Sequence, residues 1–278
     1  MKYIDIHAHI NFKAYDDDRD EVISRAKESE VGMINVGTMQ KTSEEAVKLA
    51  EENENMFAII GLHPVHVNKS FHDVDEIGEE GKAFTSRGED FDYDFYKKLG
   101  ENGKVVGIGE CGLDYFRVEG DKEEYVARQK DAFRKQIELA VELDVPLMIH
   151  CREAYPDTLE ILQEYKKIHG EKLRGNFHFF AGNLEQAKEI LDLGFRMSFT
   201  GVITFAKDYK ELVEFVPLEK MFSETDCPYV TPVPFRGQRN EPINVREVVK
   251  KIAEIKGIEE EEVREQLLKN AQEFFGLK

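Results

Sequence analysis

The sequence predicts a (β/α)8 barrel, the TIM-barrel fold, with a metal site at the mouth formed by the carboxyl ends of its strands. Eight short apolar runs alternate with helical patterns along 278 residues, a length typical of this barrel. Histidine, glutamate or aspartate follows six of those runs. Strand ends converge on one opening in a barrel, whereas an open, doubly wound sheet spreads them along a row too wide to share one ion. The positions of the polar residues therefore favour the barrel.

The apolar runs are the predicted strands, and residues with helical periodicity lie between them. The strands are expected at residues 3–9, 31–36, 56–60, 105–109, 145–149, 175–177, 195–199 and 220–223. The clearest helix is expected from about residue 121 to 143, where Phe133, Ile137 and Ala140 share one face. A helix after the second strand is expected to begin at Ser43, and two helices end the chain.

The composition excludes several classes of protein. With 38 basic and 56 acidic residues the formal charge is −18 at pH 7, which argues against a general basic surface for nucleic acid or for an anionic membrane. No apolar run approaches the roughly 20 residues of a membrane span, and no signal-peptide pattern stands at the amino terminus. We therefore expect a cytoplasmic protein that binds no membrane and has no obligate protein partner.

We expect residues 1–278 to form a single domain, because no linker-like composition divides them. One segment departs from the regular alternation of strands and helices, an acidic excursion at about 68–94. Residues 72–94 contain nine acidic and two basic residues, which is typical of a solvated excursion with a partial helix.

Candidate metal ligands begin in the first strand. Because alternate residues of a strand point to one face, His7 and His9 project two imidazoles in the same direction, a half-site for a divalent transition metal. Further candidates stand at later strand ends, namely Glu110, His150, His178 and Asp226. His63 follows the third strand and is either outside the ligand set or directed at the substrate. The remaining histidines, expected at the surface, are His66, His72 and His169.

Each later candidate also has a purely structural interpretation. His150 would be a buried core histidine, and His178 would belong to an aromatic cluster. Glu110 would cap a turn, and Asp226 would start an Asx-turn. Because burying several ionisable groups without partners is costly in free energy, we interpret them together as one polynuclear site.

The three cysteines agree with this interpretation, since each directly follows a candidate ligand. They are Cys111, Cys151 and Cys227. An odd number of widely spaced cysteines does not indicate a disulfide framework. If the ligands face inward, the next side chain turns the other way, so we expect small buried hydrophobes behind the site, with thiolate ligation as the alternative.

Several motifs, in this order, resemble those of the TatD-family metal-dependent hydrolases, also called TatD-type deoxyribonucleases, within the amidohydrolase-like metallo-barrels. They are DIHAH at 5–9, GLHP at 61–64, GECGLDY at 109–115, PLMIHCR at 146–152, HFFAG at 178–182, ETDCPY at 224–229 and RGQRNEP at 236–242, with the ending 270–277. Two features depart from the family pattern. Phe179 stands where the family commonly has cysteine, and the acidic stretch is longer than usual, which suggests a cover over the mouth.

The resemblance implies a hydrolase with two divalent ions, Mg²⁺, Mn²⁺ or Zn²⁺. His7, His9 and Asp226 would hold one ion. His150 and His178 would hold the other, with Glu110 bridging the two. Paired ions lower the pKa of a bound water and steady the attacking and leaving oxygens. Asp226 is expected to orient that water and accept its proton, together with Glu110 as the second catalytic carboxylate.

The expected substrate is a DNA strand end or a short oligonucleotide, trimmed from its 3′ end. Two divalent ions outweigh two carboxylates and a hydroxide, leaving about one positive charge at the mouth, while the acidic surface elsewhere repels a long duplex. The candidate substrate contacts are His63, Arg117, Arg152 and Arg239. For each arginine an ordinary salt bridge is an equal alternative. Tyr115 and Phe116 are interpreted either as base-stacking or as packing residues.

Two other functions remain open at this point. The same ions would hydrolyse an amide, ester or lactone bond of a small molecule, as elsewhere among the metallo-barrels. Alternatively, the chain would be a non-catalytic metal-binding protein. A closed structural site leaves no coordination position for water, whereas a catalytic one keeps a position open.

Overall fold

The structure, a computed structural model, describes residues 1–68, 71–72, 84–85, 88–116 and 121–277. Eight parallel strands form one sheet in the order in which they occur along the chain. They are β1 (Tyr3–Ala8), β2 (Val31–Val36), β3 (Met56–Ile60), β4 (Val105–Asp114), β5 (Leu147–Arg152), β6 (Gly175–Phe177), β7 (Arg196–Phe199) and β8 (Met221–Ser223). The predicted (β/α)8 barrel is confirmed.

The barrel closes between its first and last strands. A parallel bridge pairs Ala8 with Cys227, and the amide of Asp226 donates to the carbonyl of His7 at 2.9 Å. The buried carboxylate of Asp5 strengthens this seam, because it accepts hydrogen bonds from the amides of His7 (3.2 Å) and Thr225 (2.9 Å) and from the Thr225 hydroxyl. The residues that end β1 and follow β8 are thus held side by side.

Nine longer helices follow the strands. They are α1 (Arg19–Glu28), α2 (Gln40–Glu52), α3 (Tyr93–Gly100), α4 (Lys122–Leu143), α5 (Tyr155–His169), α6 (Leu184–Asp192), α7 (Tyr209–Phe215), α8 (Val245–Lys256) and α9 (Glu260–Phe275), among the residues that the structure describes. None of the described helices is long and apolar enough to cross a membrane. Helix α2 begins three residues before Ser43, whose hydroxyl instead accepts a hydrogen bond from the Gly61 amide at 3.2 Å.

Most of the predicted acidic excursion at about 68–94 lies outside the described residues. The structure describes two short antiparallel strands in it, Phe71–His72 and Phe84–Thr85, and the start of α3. Strand β4 extends five residues beyond its predicted end at 109, and β5 begins and ends two to three residues later than predicted. Because of these two shifts, most of the GECGLDY and PLMIHCR motifs lie within strands.

A β-bulge decides which way the first histidines point. Asp5 pairs with Met33 but Ala8 pairs with Asn35, so β1 holds one extra residue in between. Before the bulge Ile4 and Ile6 belong to an inner hydrophobic cluster, and after it Ala8 belongs to the core between strands and helices. Alternation therefore places His7 and His9 on the inner side of the barrel, because the extra residue reverses the phase of the strand.

Strand β4 contains a second bulge with the same effect. Ile108 pairs with Leu147 and Cys111 with Ile149, which again leaves one extra residue in β4. Cys111 packs in the core between strands and helices, so Glu110 faces the barrel interior. Cys111 and Cys227 are buried without disulfides and Cys151 is partly buried. This agrees with their interpretation as small side chains behind the site.

Candidate metal centre

Seven predicted side chains from six strand ends meet at one place inside the barrel mouth. They are His7, His9, His63, Glu110, His150, His178 and Asp226, each of them buried or nearly so. The barrel brings together residues that are more than 200 positions apart in the chain. The predicted convergence on one mouth is therefore what the structure shows.

Glu110 lies at the centre of this cluster, and its two carboxylate oxygens face different histidines. Oε2 lies 3.4 Å from Nε2 of His7 and 3.7 Å from Nε2 of His9. Oε1 lies 2.7 Å from Nε2 of His178, 3.0 Å from Nδ1 of His150 and 3.1 Å from Nε2 of His63. A single carboxylate thus divides five imidazoles into two sets, which is the arrangement expected of a bridging ligand.

Three overlapping groups of side chains have potential ligand atoms within 4.8 Å of one another among the described residues. They are His7–His9–Asp226, His7–Glu110–His178 and His63–Glu110–His150. The first is the predicted set for one ion. The predicted set for the other ion is divided between the second and third groups, and His63 is as close to Glu110 as the predicted ligands are.

The donor atoms have the chemistry that a divalent metal requires. Nδ1 of His9 lies 2.9 Å from the carbonyl oxygen of Val36, to which it donates. This fixes the tautomer, so Nε2 of His9 keeps its lone pair and points at Nε2 of His7, only 3.0 Å away. Two facing imidazole nitrogens beside the Asp226 carboxylate form a mixed nitrogen and oxygen set that suits zinc, manganese or nickel, and less readily magnesium.

The electrostatics keep the carboxylates ionised. Burial acts to raise the pKa of Glu110, but the charges of His178 and His63 outweigh it and hold the pKa well below its usual value. Burial likewise opposes ionisation of Asp226, yet the neighbouring imidazoles of His9 and His7 lower its pKa. Deprotonated carboxylates are the form that binds metal, so both residues are prepared as ligands.

Asp114 contacts a candidate ligand and was not among the site residues that the sequence predicted. Its Oδ2 lies 2.8 Å from Nε2 of His150, so the opposite ring nitrogen of His150 points at Glu110. Burial acts to lower the pKa of His150, but the carboxylates of Asp114 and Glu110 outweigh it and raise the pKa to about 9 in the metal-free cluster. A carboxylate behind a ligating histidine orients its ring and raises its basicity. The available signal was the place of Asp114 within the GECGLDY motif.

Glu224 is the second missed residue. Its Oε1 accepts a 2.6 Å hydrogen bond from the amide of Phe179 and lies 3.7 Å from Nδ1 of His178. Its Oε2 has no hydrogen-bond partner among the described residues, although the side chain is fully buried. Phe179 has a φ of +43°, a left-handed conformation that is strained for a bulky residue. Glu224 holds this strained residue directly beside His178.

The candidate substrate contacts differ in their surroundings. The two terminal guanidinium nitrogens of Arg239 donate to Asp18, at 2.8 and 2.6 Å, and the guanidinium lies over the ring of Tyr15. Arg239 thus forms an ordinary salt bridge, which was the alternative to a substrate contact. Arg152 is exposed at the mouth, with its guanidinium 3.4 Å above the Phe116 ring. Arg117 lies outside the described residues. The hydroxyl of Tyr115 donates to Asp157 at 2.8 Å, which fits packing rather than base stacking.

One surface expectation was wrong. His66 is buried, with 8% of its surface exposed, because a short 3₁₀ turn from Pro64 to His66 folds it in behind His63. His169 is partly buried at the end of α5, and the side chain of His72 lies outside the described part of the chain.

Comparisons with known proteins agree with the fold and indicate a family. A family model described as "TatD related DNase" matches residues 4–276. The uncharacterized metal-dependent hydrolase YabD of Bacillus subtilis is 39% identical over 98% of both chains. A Pantoea ananatis protein named 3′-5′ ssDNA/RNA exonuclease TatD is 32% identical over 98% of this chain and 99% of its own. The crystal structure of the Escherichia coli TatD homologue YJJV has a TM-score of 0.81 at 25% identity, covering 100% of this chain and 99% of that one.

Proposed function

Because this chain belongs to the TatD family of metal-dependent hydrolases, we propose that it removes nucleotides from the 3′ end of a DNA strand by hydrolysing the terminal phosphodiester bond. The observation that carries the proposal is the position of Glu110, whose two oxygens face separate sets of histidines. Such a carboxylate suits two neighbouring cations, and paired cations suit in-line displacement at phosphorus. The relative from Pantoea ananatis that is named as a 3′-5′ exonuclease supports the direction of trimming.

We assign the ligands of two divalent ions, Mg²⁺, Mn²⁺ or Zn²⁺, from these contacts. His7, His9 and Asp226 would hold one ion, and His150 and His178 the other. Glu110 would contribute one oxygen to each. His63, which lies at the same Oε1 as His150 and His178, is the residue placed to face the substrate beside the second ion.

Asp226 has the central role in the chemistry. The bound ions would supply an attacking water of lowered pKa and positive charge opposite the phosphate oxygens. Asp226 orients this water and accepts its proton at a carboxylate oxygen, which is available because its pKa is low. The oxygen of the water forms the new bond to phosphorus, and the bond to the 3′ oxygen of the preceding nucleotide breaks. The leaving 3′ oxygen takes up a proton from solvent and becomes a hydroxyl, and Asp226 returns its proton to solvent. The products are a 5′-mononucleotide and a strand shortened by one residue.

Because the buried carboxylates add negative charge at the mouth, binding of a phosphate chain depends on the arginines there. Asp114 and Glu224, both buried beside the ligands, add two formal negative charges to those of Glu110 and Asp226. Together with a hydroxide these four carboxylates carry about five negative charges against about four positive charges of two divalent ions, so the ions leave no excess positive charge for a phosphate chain. The exposed Arg152, which lies over Phe116 where β4 and β5 end, is therefore the candidate phosphate contact. Arg239 instead positions the loop around Tyr15.

A direct test measures nucleotide release from 3′-labelled single-stranded DNA, beside a panel of small amides, esters and lactones, in Mg²⁺, Mn²⁺ and Zn²⁺. We expect DNA turnover that chelator abolishes and that Asp226→Asn reduces at least a hundredfold. The matched control is Glu171→Gln, an exposed carboxylate far from the cluster, which should retain wild-type rates. Turnover of the small substrates without DNA cleavage would replace the proposal, and full activity in chelator would refute it.

A further inference from the structure

Exposed large apolar side chains are concentrated around the barrel mouth. Among the described residues seven are exposed, and five of them follow the carboxyl ends of strands. These five are Phe116, Leu184, Phe205, Val233 and Phe235. The other two, Ile168 and Phe215, lie at the carboxyl ends of α5 and α7 and so at the opposite end of the barrel. Clusters of exposed apolar residues next to a site mark surfaces that become covered by a ligand or partner.

One part of this surface combines an aromatic ring with a cation. The guanidinium of Arg236 lies 3.9 Å above the centre of the Phe205 ring, and both side chains are exposed. Arg236 also donates to the carbonyl of Thr231 at 3.1 Å. These contacts place the guanidinium over an exposed aromatic ring, a combination that occurs in sites that bind a base and its phosphate together.

The two loops that carry this pair are fixed to each other. The amide of Val233 donates to the Thr204 hydroxyl at 2.9 Å, and that hydroxyl donates to the carbonyl of Gly201 at 2.6 Å. Gly201 allows this approach, because a Cβ there would lie 2.4 Å from the carbonyl oxygen of Val230. The exposed aromatic surface therefore belongs to an ordered platform between the ends of β7 and β8.

A second pair of the same kind lies on the other side of β6. Arg152 at the end of β5 covers Phe116, which follows β4. Because the strands are ordered β4-β5-β6-β7-β8 around the barrel, His178 at the end of β6 lies between the two pairs. A linear ligand that crosses the candidate metal centre beside His178 meets one aromatic–arginine pair on each side.

We propose that Phe205 and Arg236 form a nucleotide subsite for a single strand of nucleic acid, with the base stacked on the ring of Phe205 and the phosphate bound by Arg236. This inference rests on the proposed function and extends it to the substrate class. Arginine stacked on an exposed ring at the mouth suits a flexible anionic strand with aromatic bases, while the acidic surface elsewhere would repel a long duplex.

Binding tests this subsite without relying on catalysis. A short 5′-fluorescein-labelled oligothymidylate with hydrolysis-resistant phosphorothioate linkages is titrated with the Mn²⁺-loaded protein, and its anisotropy is measured. We expect Phe205→Ala to weaken binding about tenfold, because base–aromatic stacking contributes on that scale. Arg236→Ala should also reduce the dependence of affinity on salt by about one phosphate contact. The control Phe215→Ala, equally exposed at the far end, should bind like the wild type.

The test separates this inference from the proposed function. Hydrolysis of bis(p-nitrophenyl) phosphate, which has no nucleobase, reports the phosphodiesterase chemistry and should be the same in the wild type and in the control Phe215→Ala. Equal oligonucleotide affinity in wild type and Phe205→Ala, when the wild type hydrolyses this compound, overturns the subsite alone. If the wild type does not hydrolyse this compound, the proposed function is overturned, while the anisotropy measurement still tests the subsite of Phe205 and Arg236. If Phe205→Ala changes only the sedimenting mass, the patch is an interface between copies and the subsite is overturned.

Discussion

The amide of Phe179 donates a 2.6 Å hydrogen bond to the buried carboxylate of Glu224, and the φ of Phe179 is +43°. His178 directly precedes this residue, so the direction of its imidazole depends on a strained backbone that one side chain stabilises. We therefore expect Glu224→Ala to lower metal affinity about ten- to a hundredfold, the usual range for such supporting groups.

Metal content after dialysis and calorimetric titration measure this effect. Glu224→Gln is the matched variant, because its amide oxygen still accepts from the Phe179 amide, and it should lose less affinity than Glu224→Ala. An unchanged metal content in Glu224→Ala would show that the Phe179 conformation does not depend on this hydrogen bond.

Asp114 is expected to act on metal binding through His150. Asp114→Ala removes the acceptor 2.8 Å from Nε2 of His150, which frees the ring to turn its other nitrogen away from Glu110. We expect metal affinity to fall about ten- to a hundredfold with the fold retained by circular dichroism. Asp157→Ala is the control, since this carboxylate binds Tyr115 and Lys130 outside the cluster. Equal losses in the two variants would argue against an orienting role.

Two glutamines of α4 are expected to stabilise the strand ends that carry the site. Gln129 accepts from the amide of Asp114 and donates to its carbonyl, at 2.8 and 3.0 Å, and Gln136 does the same for Leu62. Both are buried and lie seven residues apart, on one helix face. Replacing either glutamine by leucine leaves a buried backbone amide and a buried carbonyl without a hydrogen-bond partner, so we expect the free energy of unfolding to fall by about 2–4 kcal/mol.

Urea unfolding of the metal-free protein measures that change. The exposed Gln163→Leu on α5 should shift the free energy of unfolding by less than about 0.5 kcal/mol. If Gln129→Leu and Gln136→Leu unfold like Gln163→Leu, the paired hydrogen bonds contribute nothing to stability.

The Asp18–Arg239 salt bridge should make stability depend on acidic pH. The hydrogen bond with Arg239 outweighs the small burial of Asp18 and lowers its pKa in the folded state. A carboxyl group with a lowered folded-state pKa contributes stability above its unfolded pKa of about 3.9 and loses it as pH falls through the folded value. Because the pair is partly exposed, we expect Asp18→Asn to cost at most about 1 kcal/mol at pH 7.

Thermal unfolding across a pH series measures this prediction. The difference between wild type and Asp18→Asn should be constant from pH 7 to about pH 5 and should shrink as the pH falls below the unfolded pKa of about 3.9 and through the lower folded pKa. A difference that persists below the folded pKa would mean that the asparagine acts through packing rather than through the lost charge.

The residue types of the candidate site were predictable because metal-binding side chains can be recognised within short stretches of sequence. The pattern His7-Ala8-His9 places two imidazoles on one face of any strand, and apolar runs before Glu110, His150 and His178 mark strand ends. The buried cysteines next to Glu110 and Asp226 also follow from simple alternation. Asp114 and Glu224 lie within the GECGLDY and ETDCPY motifs, but these motifs do not show which histidine or amide each carboxylate contacts.

Pairings between distant residues were equally out of reach. Arg239 was one of several arginines near a motif, and its partner Asp18 is 221 residues away. Phe205 and Arg236 lie in different loops, and only the barrel closes the distance between them. His66 follows His63 so closely that its burial depends on how one short 3₁₀ turn packs.

The sequence by itself determined the barrel, the approximate positions of its strands and the candidate metal-binding side chains, because apolar periodicity and residue chemistry are properties of short segments. Only the tertiary structure decided which of those side chains face inward. In β1 and β4 one extra residue reverses the alternation, and a bulge exists only relative to the hydrogen-bonded register of the neighbouring strand. The division of the histidines between the two oxygens of Glu110 likewise depends on eight strands closing around one axis.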